Sequence, residues 1–368
     1  MASRTGKVLV LLALVIFCLF SLTLFSQFTT YSKSSECALP RGHSTASVNV
    51  FHQNNTKVIR EQSEGTYRDG IRFYHQETHE TTPDILFLVL TGDSLSWGSD
   101  TWSPTRTFQD FLDLLNSTEL DLSRVSLGMM TASLEEFELY QQAVPYSRLA
   151  EVTILLKEKS SEDSNFWTSI PREGRHSRSY QTARRRAIAK LRNELMFRTL
   201  HEEEHVIWVD ADIKEFSPGL VQTMLQHSID NADAGIITAL AEHPWFPDYD
   251  KNAFAGGRPG PKSSRLADPA LAEEELQSQP SFVGQLVQNT TDSDIIPLDS
   301  VGGTILYMRA GLIRQGLTFP PYYVIGTRWG HDGWDGIETQ GVCYAARSLD
   351  GGGCYTLGGS HKVKHTGH

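Results

Sequence analysis

His205-Val206-Ile207-Trp208-Val209-Asp210-Ala211-Asp212 is the stretch on which the reading of this chain turns. Four apolar residues in a row suit a short buried strand, and two carboxylates follow where that strand should end. In open α/β sheets, ligands bind at the carboxyl edge of the strands. Residues two apart on an extended chain point the same way, which predicts Asp210 and Asp212 on one side. Paired carboxylates suit a hard divalent cation that also grips a diphosphate, and such a cation neutralises a departing nucleotide. The plainer alternative is a polar turn in which Asp caps a helix.

The flanking pattern alternates between strand and helix. Apolar runs at Ile85–Leu90, Val125–Met130, Val152–Leu156, Val206–Val209 and Gly235–Ala239 are predicted strands. Helices are predicted at Thr107–Leu115, Leu134–Gln142, Tyr180–Leu200 and Pro218–His227, with Phe108, Phe111, Leu112 and Leu115 sharing one face of the first. This alternation implies an α/β fold, a sheet covered on both faces. Gly256–Pro280 reads as a surface insertion, and apolar signal returns at Val301–Met308.

The amino terminus bears on the compartment. Val8–Phe25 is an 18-residue apolar run behind Arg4 and Lys7, close to the length a helix needs to cross a bilayer. No small-residue cleavage site is well formed after it, which favours an uncleaved anchor over a removed signal. The expected organisation is a cytoplasmic tail (1–7), a transmembrane signal-anchor (8–26), a luminal stem (27–82) and a catalytic domain (83–368). Three glycosylation acceptors, at Asn54, Asn116 and Asn289, agree with a luminal address. Cys343 and Cys354 flank a Gly-rich turn and could pair there, a free buried pair being the alternative. The net charge of −11 argues against nucleic acid as a partner.

Four other segments carry candidate chemistry. On a helix, Arg186, Lys190 and Asn193 share a face, with Arg185 and Arg192 beside it and Ala187, Leu191 and Leu195 on the buried side. Such a stripe could hold phosphates, or it could be a solvated charged face. Gly302-Gly303 would let a substrate approach the backbone, and Asp299 could bind a sugar hydroxyl; a simple turn is equally economical. Gly333–Gly341, which contains Trp334, Asp335 and Glu338, suits sugar recognition by stacking and hydrogen bonding. His365, near the end of the chain, could complete a metal shell or lie idle on the surface.

Taken in order, Arg184–Asn193, Trp208–Asp212, Ser300–Ala310 with Phe319-Pro320-Pro321, and Gly333–Gly341 resemble the fungal Golgi α-1,6-mannosyltransferases of the mannan polymerase complexes (the Anp/Van/Mnn type). The similarity runs from about Asp84 to His365. It implies a GT-A-like nucleotide-diphospho-sugar transferase fold with a mixed sheet. It also implies GDP-mannose as donor, Mn²⁺ or another divalent cation, and retaining transfer to an α-mannoside of an N-glycan. In these terms Asp210, Asp212 and His365 become metal ligands, and Arg186, Lys190, Arg192 and Asn193 donor-site residues. Asp299 and Glu338 become the carboxylates beside the acceptor. A Golgi membrane location and hetero-oligomers with related subunits follow as expectations. The family pattern Glu-Thr-Glu-Gly reads Glu338-Thr339-Gln340-Gly341 here, a departure that bears on acceptor choice and activity. The rival readings are a non-catalytic subunit of such a complex and a metal-dependent nucleotide-sugar hydrolase.

Overall fold

The computed structural model describes residues 44–53, 56–78, 81–99, 105–158, 178–256, 280–322 and 336–367. All of them lie in the compact unit His43–His368. The Val8–Phe25 run, most of the Gly256–Pro280 insertion, and Trp334 and Asp335 lie outside the described residues. Among the described residues, no helix is long and apolar enough to cross a membrane.

The strands are β1 (Ser44–Gln53), β2 (Thr56–Thr66), β3 (Arg72–Thr78), β4 (Ile85–Thr91), β5 (Val125–Thr131), β6 (Glu151–Leu156), β7 (His205–Val209) and β8 (Ile213–Phe216). They continue as β9 (Ile236–Thr238), β10 (Leu240–Glu242), β11 (Phe254–Ala255), β12 (Ser281–Phe282), β13 (Ile295–Pro297), β14 (Ile305–Arg309), β15 (Cys354–Leu357) and β16 (Lys362–His365). The longer helices are α1 (Phe108–Asn116), α2 (Leu134–Ala143), α3 (Arg178–Thr199), α4 (Leu220–Asp230) and α5 (Thr339–Ala346). The main sheet runs β1-β2-β3-β6-β5-β4-β7-β14-β9-β15-β13, and a second runs β10-β16-β8. β4, β5, β6 and β7 are parallel neighbours, whereas β14 enters antiparallel beside β7. The sheet is therefore mixed.

Side-chain alternation explains the continuous apolar runs. Phe87, Val89, Leu127, Met129, Ile207 and Val209 pack into one core with Phe108, Phe111, Phe137, Leu220 and Met224 of α1, α2 and α4. Leu86, Leu88, Met130, Val206 and Trp208 pack into another with Ala189, Leu195 and Met196 of α3 and Val342 of α5. A strand buried on both faces has no polar side to show. Thus β7 presents Val206 and Trp208 to α3, a parity that carries on to Asp210.

Two expectations about organisation change. The folded part does not begin near Pro83: β1–β3, within the stretch read as a stem, extend the sheet from β6 outward in antiparallel register. The last of them escaped the sequence because it buries few residues. In β3, only Tyr74 and Gln76 are buried. The buried face of α3 includes Leu195 as expected but also runs through Arg185, Ala189, Arg192, Met196 and Thr199, so two arginines point inward. Ala187 and Leu191 line a cleft, and Leu191 also packs against the core.

The approach of α3 to β5 depends on Gly128. A Cβ there would lie 2.6 Å from Leu88 Cδ2 and 2.8 Å from Thr199 Oγ1. Gly128→Ala is therefore expected to destabilise the domain by about 1–3 kcal/mol, the usual cost of overpacking. Denaturant titration checks this, and an unchanged midpoint would show that α3 can shift at no cost.

Candidate functional site

β7 ends at Val209, and the chain turns at once, with Ile213 N donating to Asp210 O at 3.2 Å. The side chains of Asp210 and Asp212 consequently meet different partners. Following the parity of Trp208, Asp210 turns toward α3, where Arg192 Nη2 donates to its Oδ1 at 3.2 Å. Asp212 instead meets His365, with Nε2 to Oδ2 at 2.9 Å. Strict alternation holds only while the backbone stays extended, and the turn after Val209 ends it. The two carboxylates nevertheless remain electrostatic neighbours.

Arg192 is the hub. Its guanidinium is almost fully buried, lies over the rings of Trp208 and Phe319 (5.0 and 5.3 Å to the centroids), and pairs through Nε with Glu338 Oε1 at 3.1 Å. Nη2 also donates to Gly303 O at 3.3 Å. This arginine, expected beside the basic stripe, is therefore committed to holding the site together. Asn193 is committed too: Nδ2 donates to Phe319 O and Oδ1 accepts from Phe319 N, both at 2.8 Å. Arg186 and Lys190 do share a face, and both cations stand over the Tyr322 ring, at 5.4 and 5.8 Å from its centroid.

The glycine pair has a different use from the one expected. A Cβ on Gly302 would fall 1.9 Å from Asp250 Oδ2, and one on Gly303 2.6 Å from Arg192 Nη2. The glycines admit protein side chains rather than a substrate. Asp250 Oδ2 accepts from Gly303 N (2.9 Å) and Thr304 Oγ1 (2.8 Å). Asp250 is a site residue the sequence reading missed. The one available signal was a second Asp-x-Asp, Asp248-Tyr249-Asp250, which has no apolar strand before it.

Glu338 has φ 62° and ψ −133°, a conformation ordinarily left to glycine. Arg192 and the bond from Glu338 N to Pro320 O (2.8 Å) hold it there. Backbone strain of this kind costs about 1–3 kcal/mol and tends to collect at functional sites. Gln340, where the family pattern has a carboxylate, is buried and donates through Nε2 to Asn252 Oδ1 at 2.9 Å. Asp299 has other partners: Arg347 Nη2 donates to it at 2.6 Å and Gly256 N at 2.8 Å. Neither contact is shared with Asp210, Asp212 or Glu338. Cys343 and Cys354 form a disulfide that joins α5 to β15.

Electrostatics follow from this crowding. Desolvation raises the Asp210 carboxyl; Arg192 pulls it down, while Asp212, Asp250 and Glu338 push it up. Some 43% of the Asp210 side chain still meets solvent, which tempers the effect. Burial likewise raises Glu338 against the pull of Arg192 and Arg184. For His365, burial works downward, but the hydrogen bond and charge of Asp212 prevail and raise it.

The chemistry of the donors suits a divalent cation. His365 Nδ1 lies 2.7 Å from Thr366 O, a carbonyl that only accepts, so Nδ1 carries a proton and Nε2 aims at Asp212. Anchoring the far ring nitrogen in this way is how a metal-binding imidazole is commonly oriented. Among the described residues, no three His, Cys, Asp or Glu side chains stand ready arranged around a metal position. A cation would take over the Nε2 and carboxylate oxygen that now bond to each other. At the same sheet edge, an open cleft lies at the carboxyl ends of β4, β5 and β6, lined by Leu90, Thr91, Met130, Thr131, Lys157 and Lys190.

An α/β protein with a carboxylate pair and an adjoining cleft at the carboxyl edge of its parallel strands is the class that fold and site define. More particularly, the chain belongs to the Anp1 family, whose family model matches residues 75–323. Glu338 and His365 lie beyond that match. Mannan polymerase complex subunit mnn9 of Schizosaccharomyces pombe is 28% identical over 263 residues, 66% of this chain and 72% of that protein. Mannan polymerase complex subunit MNN9 of Candida albicans is 28% identical over 262 residues, 65% of this chain and 67% of that protein. Mouse xyloside xylosyltransferase 1 superposes with a TM-score of 0.30 at 13% identity, over 63% of this chain and 69% of its own, too loosely to carry an argument.

Arg192→Leu is expected to destabilise the domain by about 3–5 kcal/mol, chiefly because Glu338 is left buried and unpaired. Arg192→Lys should recover only part of this, since an ammonium cannot fork between Glu338 and Asp210. Urea midpoints of the two variants check this, and a wild-type midpoint for Arg192→Leu would remove the hub from the account. Opening the disulfide by Cys354→Ser should cost a further 2–4 kcal/mol or so, measured in the same way.

Proposed function

We propose that this chain is a membrane-anchored Golgi mannosyltransferase that moves mannose from GDP-mannose to an α-mannoside acceptor. The product is the α-1,6-linked mannan backbone of N-glycans, formed with retention. The observation that carries the reading is the group Asp210, Asp212 and His365 gathered at the carboxyl edge of the parallel strands, where a cleft also opens. Family membership and the names of the two mannan polymerase subunits support the substrate class, and the same names support assembly into a hetero-oligomer.

Asp210, Asp212 and His365 would hold the divalent cation, Mn²⁺ in this reading, which supplies Lewis-acid stabilisation of the leaving diphosphate. Lys190 lines the cleft, and with Arg186 it offers positive charge toward that diphosphate. Arg192 fixes Asp210 from below and so acts on the donor site through another residue. Of the two carboxylates proposed to orient the acceptor hydroxyl, Glu338 is better placed than Asp299, because it shares Arg192 with Asp210. Gln340 keeps a further negative charge out of a region that already holds Asp210, Asp212, Asp250 and Glu338. Positioning and preorganised charge are the main sources of acceleration.

The test uses the purified complex with GDP-mannose, Mn²⁺ and short α-mannosides, and determines the linkage formed. Asp210→Ala and Asp212→Ala should each reduce transfer at least about a hundredfold while the fold, followed by circular dichroism, is kept. Undiminished transfer would place the activity in a partner and make this chain a structural subunit. Donor breakdown that needs no acceptor would mark a hydrolase.

A further inference from the structure

The hairpin His243-Pro244-Trp245-Phe246-Pro247-Asp248-Tyr249 leaves β10 and leads into Asp250. It is tightly closed. His243 N donates to Phe246 O (2.9 Å), Phe246 N to His243 O (3.0 Å) and Tyr249 N to Ala241 O (2.9 Å). Trp245 N donates to His243 Nδ1 at 3.2 Å. Pro244 and Pro247 restrict the backbone on both sides of the tip. Despite this rigidity, its two largest rings face water: Trp245 is 67% exposed and Phe246 58%.

Under the tip, rings lead without a gap to the carboxylate pair. His243 contacts Phe246 (5.5 Å) and stacks on Tyr249 (5.0 Å, 16° between planes), and Tyr249 lies 4.6 Å from the ring of His365. His365 in turn bonds Asp212. The donor cleft sits at the ends of β4–β6, whereas the hairpin hangs from the β10-β16-β8 sheet. Asp212 and His365 stand between these two regions in the topology, as a centre joining two substrates requires.

We propose that this hairpin is the acceptor platform, with Trp245 and Phe246 stacking on pyranose rings of the mannoside that receives the sugar. The proposal rests on the transferase reading for the identity of the glycan. A pyranose offers a patch of C–H groups on one face, which complements the electron-rich face of an aromatic ring, and its hydroxyls stay at the polar rim. A protein partner fits less well. The hairpin's rings lead to the carboxylate pair, where a substrate and not a docked subunit has to arrive.

The experiment takes the full-length chain in its complex, with α-mannobiose and α-mannotriose as probes. Trp245→Ala should raise the acceptor KM about tenfold and leave the donor KM in place, with Trp245→Phe restoring most of the loss. Saturation-transfer NMR with α-mannotriose, which needs no turnover, should show contacts in the wild type that weaken in Trp245→Ala. An unchanged acceptor KM with unchanged NMR contacts overturns the platform, as does a parallel rise in both KM values. Loss of complex assembly with the acceptor KM intact also overturns it and makes the hairpin a partner surface. A wild-type chain that binds mannotriose through Trp245 yet transfers nothing would support the platform while ending the transferase reading. No binding by the wild type would end the platform.

Discussion

A guanidinium buried between two carboxylates and two aromatic rings is the constraint on which the rest of this structure depends. Taking Arg192 out of water is expensive, and only well-placed anions and carbonyls repay it. Asp210, Glu338 and the Gly303 carbonyl meet that need, each from a different part of the chain. The ion group thus fastens the end of β7, the turn before β14 and the start of α5 to one helix. It also explains why glycines stand at 302 and 303, and how Glu338 is kept in a backbone conformation it would not choose alone.

Around that fastening the site divides by element. Parallel strands β4–β7 bring their carboxyl ends to one edge, so the cleft and the carboxylates share it without any long-range coincidence. The small sheet β10-β16-β8 brings His365 across from the far end of the sequence to meet Asp212. Asp250 and the aromatic hairpin arrive on the loop after β10. The centre is therefore assembled from segments near residues 190, 210, 250, 303, 338 and 365. The Anp1 family match reaches Asp250 and Thr304 but stops short of Glu338 and His365, which ion pairs with Arg192 and Asp212 tie to the same centre.

The polar balance of the site has a consequence for its chemistry. Asp210, Asp212, Asp250 and Glu338 crowd together, and burial raises the carboxyls of Asp210 and Glu338. Bringing a divalent cation to this edge would relieve the repulsion, which is a physical reason for such a site to hold one. The uncharged Gln340, bonded to Asn252, leaves that balance less negative than a glutamate would.

Much of the framework was legible in the chain itself. The apolar runs and their flanking helices located β4–β7, β9, β14 and α1–α4 within a few residues, because strands buried on both faces and one-sided helices leave strong local patterns. Two aspartates after such a run likewise marked the carboxyl edge of the parallel strands. What the sequence did not determine was direction and partnership. Which way Arg192 points, which carboxylate meets His365, and why two glycines adjoin a strand all depend on contacts between segments far apart in sequence. β3 was hidden because it buries too few side chains to leave a periodic signal. Tertiary structure settled these points because a buried charge must find its counter-charges wherever the folded chain brings them, and spacing along the sequence carries no record of that search.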